Sequence, residues 1–185
     1  MMRERNTTGG FTLVELLVVI ALVAIILALA APSFTGTLAR KRLEGVASEL
    51  ATDIQYARSE AAQRNAAVGI VFGANCYVIY VVGNMDADSC TVLNSPEPAL
   101  KTVQISDGVS LNFVPPVARP PFMAFDPVRG MAVDATGAID LSGYVNLSHS
   151  AGTWQIRAML TKAGRVKLCS PNNTITALAT DCSAI

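Results

Sequence analysis

Residues 11–31 carry a single charge, Glu15, in a run that is otherwise apolar or small apart from Thr12. As a helix rising ~1.5 Å per residue, that run is ~31 Å long, matching a bilayer core of ~30 Å. The pattern changes after Pro32. Leu43, Val46, Ala47, Leu50, Ile54, Ala57 and Ala61 recur at steps of three and four, with Arg40, Lys41, Arg42, Glu44, Glu49, Asp53, Arg58, Glu60 and Arg64 between them. One apolar stripe on an otherwise charged helix predicts an element that packs against a globular body and stops near Asn65. Pro32 and Gly36 are the expected flexure points between the two patterns.

Beyond Asn65 the period shortens to that of strands. Residues 68–72 and 77–82 read as a hairpin around Gly73-Ala74-Asn75. Further strands are expected at 101–105, 110–113, 123–125, 138–141, 154–160 and 165–169. Residues 114–121 hold four prolines and are expected to form an irregular loop, because proline cannot donate to a sheet ladder. The expected fold is therefore α+β. A long N-terminal helix, transmembrane in its first half, packs its second half on a small, mostly antiparallel β domain. The segments are 1–10 as a polar leader, 11–31 as membrane helix, 32–65 as its amphipathic continuation and 66–185 as the β-rich domain.

Composition changes this picture in two places. The chain has 185 residues, so roughly 150 remain for one modest domain once the leader and span are removed. Its formal net charge of +0 hides an uneven layout. Residues 66–156 hold seven acids against Lys101, Arg119 and Arg129, a balance of −4, whereas Arg157, Lys162, Arg165 and Lys167 face only Asp181 in the tail, a balance of +3. Arg3 and Arg5 precede the apolar run, which orients the leader to the cytoplasm and the C-terminal domain outward.

Candidate chemistry is concentrated at few positions. A carboxylate four residues into a membrane helix is costly, by about 2.5–3.5 kcal/mol at mid-bilayer, and marks a functional position. Cys76, Cys90, Cys169 and Cys182 all follow the span, and an even count in an oxidising compartment favours disulfides. Of three pairings, Cys76–Cys90 with Cys169–Cys182 is favoured, since each closes a short loop of roughly 14 residues. No C-x-x-C spacing suggests a metal, and no glycine-rich phosphate loop is present, so neither metal nor cofactor is expected. His149 is the only histidine and reads as a loop residue between serines. A catalytic reading, a membrane-anchored periplasmic enzyme, would have to be built on it and is the remote alternative; the chain is expected not to be an enzyme. Arg165 and Lys167 alternate on a strand and share one face, with Lys162 in the preceding turn. Such cations can track phosphates with salt-dependent, sequence-independent affinity, which makes DNA a possible partner.

Gly10-Phe11-Thr12-Leu13-Val14-Glu15 at the head of the apolar run resembles the processing signal of type IV pilins and type II secretion pseudopilins. Residues 50–65 followed by Val68, and the stretch Thr161-Lys162-Ala163-Gly164-Arg165-Val166-Lys167-Leu168-Cys169, resemble the helix-to-strand passage and closing hairpin of the GspH/FimT family. That family comprises the H-type minor pseudopilins together with FimT- and FimU-like minor pilins. Lys167 stands where arginine is common, keeping the charge but losing the planar fork. The resemblance implies cleavage after Gly10 by a prepilin peptidase/methyltransferase, N-methylation of Phe11, and pairing of Glu15 with a neighbouring subunit's N-terminus to set register. It implies an inner-membrane, single-pass subunit with a periplasmic domain, whose partners are other pilin or pseudopilin subunits, priming or capping a type IV pilus or a type II secretion pseudopilus. Some FimT-like pilins act in DNA uptake through a basic C-terminal region, so a DNA-binding minor pilin is the alternative.

Overall fold

A computed structural model describes residues 11–73, 75–82, 90, 99–114, 122–133, 143–161 and 163–182, with backbone alone at 30–33. The helix α1 (Leu13–Arg64) leads into nine strands among these residues: β1 (Val68–Phe72), β2 (Cys76–Val81), β3 (Lys101–Gln104), β4 (Val109–Val114), β5 (Phe122–Phe125), β6 (Ala132–Val133), β7 (Tyr144–His149), β8 (Gln155–Leu160) and β9 (Val166–Cys169). The chain divides into two compact units, Met1–Leu38 and Ala39–Ile185.

In the first unit α1 exposes apolar side chains around its whole circumference, from Leu13 to Leu29 and again at Phe34 and Leu38. No single helix among the described residues is long and apolar enough to cross a membrane. The bent pair Leu13–Leu29 and Phe34–Arg64 meets the length and composition requirement only together. Seventeen residues before the break give ~26 Å of helix, a few ångströms less than a bilayer core.

In the second unit the predicted stripe is buried: Leu43, Ala47, Leu50, Ala57 and Ala61 are fully inaccessible. α1 ends because Asn65 takes a left-handed φ of 50°, and the Ala66 N–H donates back to the Ala61 carbonyl at 3.3 Å. That six-to-one bond is a Schellman closure, and asparagine is the non-glycine residue that best tolerates it.

The strands form two antiparallel sheets. In the first, of order β3-β2-β1-β5-β6, Ile70 of β1 stands between Ile79 and Met123. The second has order β4-β7-β8-β9, with Leu147 of β7 between Leu111 and Ile156. Inward residues of both sheets and the α1 stripe share one core, including Leu50, Ile54, Ile70, Phe113, Leu147 and Ile156. β1 is buried on both faces, because Val71, Val78 and Tyr80 form a second small cluster outside the first sheet. Its unbroken apolar run follows from that double covering.

The α+β architecture is as expected, and differences lie in detail. β6 and β7 were not anticipated, and the expected strand at 138–141 lies outside the described residues, as does nearly all of the proline-rich loop. Asp53, expected among the charged positions of α1, is buried against the sheet. It lies three residues from Leu50 and four from Ala57, which puts it on the packed stripe.

Candidate functional site

Gly10 lies outside the described residues. Phe11 is exposed, and Thr12 caps α1: its Oγ1 accepts a hydrogen bond from the Glu15 backbone N–H at 3.2 Å. Thr12 and Glu15 occupy the N-cap and N3 positions, the spacing of a capping box, and a carboxylate there also faces the positive end of the helix dipole. Glu15 therefore favours the helix start as well as carrying charge into the apolar segment. The sequence reading missed this second role, although the T-x-x-E spacing is the signal that could have found it.

The cysteines pair as Cys76 with Cys90, at a Cα separation of 6.0 Å, and Cys169 with Cys182, at 5.6 Å. The second bond ties the C-terminal segment back to β9. An added parallel bridge from Cys169 to Ala179 and the Ser170 N–H bonded to the Ala179 carbonyl at 2.9 Å do the same.

Lys162 lies outside the described residues. Arg165 is exposed just before β9, and Lys167 is half-buried within it. Val166 and Leu168 pack on the core, so alternation along the strand turns Arg165 and Lys167 to the outer face. Arg157 on the adjacent β8 shares that face. Its guanidinium lies 4.2 Å from the Tyr144 ring centroid, and its Nε donates to Asn146 Oδ1 at 3.0 Å. The sequence counted Arg157 in the basic tail but gave no sign of this stacking, since Tyr144 and Asn146 belong to the unanticipated β7.

His149 is the last residue of β7 rather than a loop residue, and it is 8% exposed. Alternation in Tyr-Val-Asn-Leu-Ser-His turns it inward with Val145 and Leu147. Its Nδ1 accepts the Ala151 N–H at 3.0 Å, so the neutral ring carries its proton on Nε2, which has no partner among the described residues. A hydrolytic triad needs a carboxylate on one ring nitrogen and a nucleophile on the other, and this histidine presents neither arrangement. No group of potential metal ligands occurs among the described residues.

Asp53, Tyr77 and Lys101 form a polar cluster the sequence did not reveal. Tyr77 Oη donates to Asp53 Oδ2 at 2.7 Å, and Lys101 Nζ lies 2.7 Å from both carboxylate oxygens. The cluster fastens α1 to β2 and β3. The hydrogen bond to Asp53 holds the Lys101 pKa above its usual value, and burial, followed by the same carboxylate, raises that of Tyr77.

Likenesses to known families and proteins bear on this arrangement. Residues 5–31 match the prokaryotic N-terminal methylation motif. A pilin-like protein, PilA1 of Thermus thermophilus, is 42% identical over 81 residues, covering 42% of this chain and 51% of that protein, so the chain spans about half the length of this curated relative. The minor pseudopilin EpsH from the type 2 secretion system of Vibrio cholerae superimposes with a TM-score of 0.50 at 10% identity, over 71% of this chain and 98% of EpsH. The type IV minor pilin FimU of Pseudomonas aeruginosa does so with a TM-score of 0.50 at 17% identity, over 72% and 95%. At such identities these two establish the shared fold alone. The match to the type II transport protein GspH family runs over residues 46–177, well over half of the sequence, and the chain belongs to that family of pilin-like subunits.

Proposed function

We propose that this chain is a minor pilin or pseudopilin subunit, a structural component of a filament and not a catalyst. Residues 1–10 are a leader removed after Gly10, and Phe11 becomes the N-methylated N-terminus. Residues 11–31 anchor the subunit in the inner membrane as a single pass, with the β-rich domain in the periplasm. During assembly the apolar helix exchanges lipid for neighbouring helices, and the subunit primes or caps a type IV pilus or a type II secretion pseudopilus.

The observation that carries this reading is the methylation-motif match over residues 5–31, on a capped helix whose apolar side chains are exposed all round with one carboxylate among them. Such a rod needs an apolar surrounding. Within it Glu15 seeks a cation, and the α-amino group of a neighbouring Phe11 supplies one. Attraction at ~4 Å is strong in low dielectric but is largely offset by desolvation, so the pair sets register more than it adds affinity.

Intact mass of membrane-extracted protein is expected to show loss of residues 1–10 and one methyl on Phe11, and Gly10→Val is expected to block cleavage. Glu15→Ala is expected to leave the domain folded while lowering its share in sheared filaments. A mature chain retaining Met1, or normal incorporation of the variant, overturns the reading. Gene neighbourhood separates the two systems, pilus biogenesis from general secretion.

A second reading, DNA binding, is favoured by the shared outer face of Arg165 and Lys167 beside Arg157. Here Arg165→Gln with Lys167→Gln is expected to weaken duplex binding for every sequence alike and to flatten the salt slope by up to ~1.8. Equal gel retention by the double variant removes this reading.

A further inference from the structure

Arg40, Lys41, Arg64 and Lys101 each meet a carboxylate. Arg58, Arg129, Arg165 and Lys167 meet none among the described residues, and the three arginines converge. Arg58 and Arg129 line one open groove of about 440 Å³ between α1 and the β5–β6 turn, and no acidic residue lines it with them. Arg165 reaches the same place by the turn that precedes β9. Gly164, the residue before it, lies against Arg58: a Cβ there would come within 3.3 Å of the Arg58 Nε and 2.6 Å of the Gly130 carbonyl oxygen. Consecutive Cα atoms are ~3.8 Å apart, so the Arg165 backbone starts beside that guanidinium. Gln55 on α1 fastens the turn, its Nε2 donating to the Gly164 carbonyl at 3.1 Å. Arg58 is half-buried and also rests on Gly130, where a Cβ would lie 3.0 Å from its Nε and 3.3 Å from its Nη2. The carboxylates nearest along the chain are engaged elsewhere. Asp53 meets Lys101 and Tyr77, Glu60 meets Arg64, and Asp126 Oδ1 accepts the N–H groups of Val128 and Arg129 at 3.0 and 2.6 Å.

We propose that this groove binds the phosphate backbone of duplex DNA, with Arg58 and Arg129 each holding a phosphate and Arg165 carrying the contact on toward Lys167. The inference rests on the DNA-binding reading above and extends that contact from the outer face of β9 to α1. Charge complementarity selects the occupant. Guanidiniums pair phosphates in bidentate fashion and give up their water more readily than ammonium groups, and a seated one such as Arg58 has less freedom left to lose on binding. No aromatic side chain lines the groove, so bases have nothing to stack on, which favours a duplex read through its backbone over an unpaired strand. Pro127 and the 83% exposed Val128 add apolar surface beside the cations, suited to the carbon face of deoxyribose. An acidic peptide would meet the same two arginines. The unpaired cations nevertheless continue past the groove through Arg165 and Lys167, which matches a polyanion of evenly repeated charge rather than one short acidic segment.

The test uses the full processed chain in micelles of a non-ionic detergent, with binding of a fluorescent duplex followed by anisotropy from about 50 to about 500 mM salt. Arg129→Gln is expected to make the slope of log affinity against log salt shallower by ~0.9, one phosphate contact, whatever the duplex sequence. With the two curves meeting near ~1 M, that is about eightfold weaker binding at ~0.1 M. Arg129→Lys keeps the charge and is expected to keep the slope. Arg42, an exposed cation elsewhere on α1 with no carboxylate partner among the described residues, is the control, and Arg42→Gln is expected to change neither slope nor affinity. Arg58→Gln serves as a second groove variant, and thermal melting confirms that each chain is folded. Binding unchanged in Arg129→Gln and Arg58→Gln but weakened in Arg165→Gln with Lys167→Gln overturns the groove and leaves the DNA reading standing. Equal weakening by Arg42→Gln also overturns it, because net charge then suffices. A wild type that retains no duplex at the lowest salt removes the DNA reading and the groove together. Polyglutamate bound more tightly than the duplex, and lost with Arg129→Gln, overturns the proposal and assigns the groove to an acidic protein partner.

Discussion

The two stretches of α1 on either side of Ala39 bury very different amounts within their own units. From Leu13 to Leu29 the large apolar side chains are 47–76% exposed, whereas Leu43, Ala47, Leu50, Ala57 and Ala61 are at 0%. Both stretches are helical, so helix formation does not report what holds each in place. The C-terminal stretch is amphipathic and is stabilised by burying one face against two sheets. The N-terminal stretch is apolar all round and buries no such face within its own unit; under the proposed function, lipid or neighbouring helices would cover it. Each stretch also carries one carboxylate out of place. Asp53 is buried and answered by Tyr77 and Lys101, while the Glu15 carboxylate meets no partner among the described residues. A carboxylate answered within the chain is a fastener for the fold. One left unanswered in an apolar setting points to a partner outside it.

The sharpest way to break this contrast is to truncate one leucine in each stretch. Leu50→Ala is expected to lower domain stability by about 2–5 kcal/mol in chemical denaturation, because it leaves a cavity at the helix–sheet contact. Leu22→Ala is expected to leave that transition where it is. Equal shifts would mean that the first unit supports the fold of the second.

The carboxylates sharpen the same comparison. Asp53→Ala strands the buried Tyr77 hydroxyl and leaves the third-exposed Lys101 only its 3.5 Å contact with Glu49, and is expected to cost about 1–3 kcal/mol, chiefly through Tyr77. Glu15→Ala is expected to leave domain stability unchanged. If both destabilise alike, the distinction between fastener and partner-seeking charge fails.

Alkaline titration reads the Asp53 cluster without mutation. Lys101 is raised chiefly by its hydrogen bond to Asp53, Tyr77 chiefly by burial, and Tyr80 by burial to about 12. Groups whose folded pKa is raised contribute their stability fully below the unfolded values, here 10.0 for tyrosine and 10.5 for lysine, and lose it as pH climbs toward the folded ones. The domain's Tm is therefore expected to hold to about pH 10 and fall above it. Asp53→Ala is expected to fall less steeply in that window, and an identical alkaline limb in both proteins would show that the cluster does not titrate with folding.

Most of the framework was legible because it rests on period. The 3.6-residue stripe located the packed helix, and short runs of strand-forming residues between turn signals located β1, β2, β3, β4, β5, β8 and β9. β7 escaped because Asn146, Ser148 and His149 are weak strand formers whose places are set by neighbours on both sides. Asp53 escaped for a related reason: a carboxylate on an amphipathic helix reads as solvated, and its partners are 24 and 48 residues away. The meeting of Arg58 on α1 with the turn at Pro127, Val128, Arg129 and Gly130 is likewise a juxtaposition that no local pattern encodes.

The smallest predicted effect lies where the packed stretch ends. Asn65 holds φ at 50° so that Ala66 can close the helix on Ala61. Glycine reaches that conformation without strain but loses more freedom on folding, so Asn65→Gly is expected to change stability by only a few tenths of a kcal/mol. Asn65→Ala keeps a Cβ and loses the short polar side chain that eases the left-handed region, and is expected to cost about 1 kcal/mol. If Asn65→Ala melted with the wild type, the stop of α1 would be set by the β1 pairing that follows, which holds Val68 opposite Val81 and Phe125, and not by the cap. Separate melting of the Ala and Gly variants, with Ala the lower, would assign the stop to the left-handed residue itself.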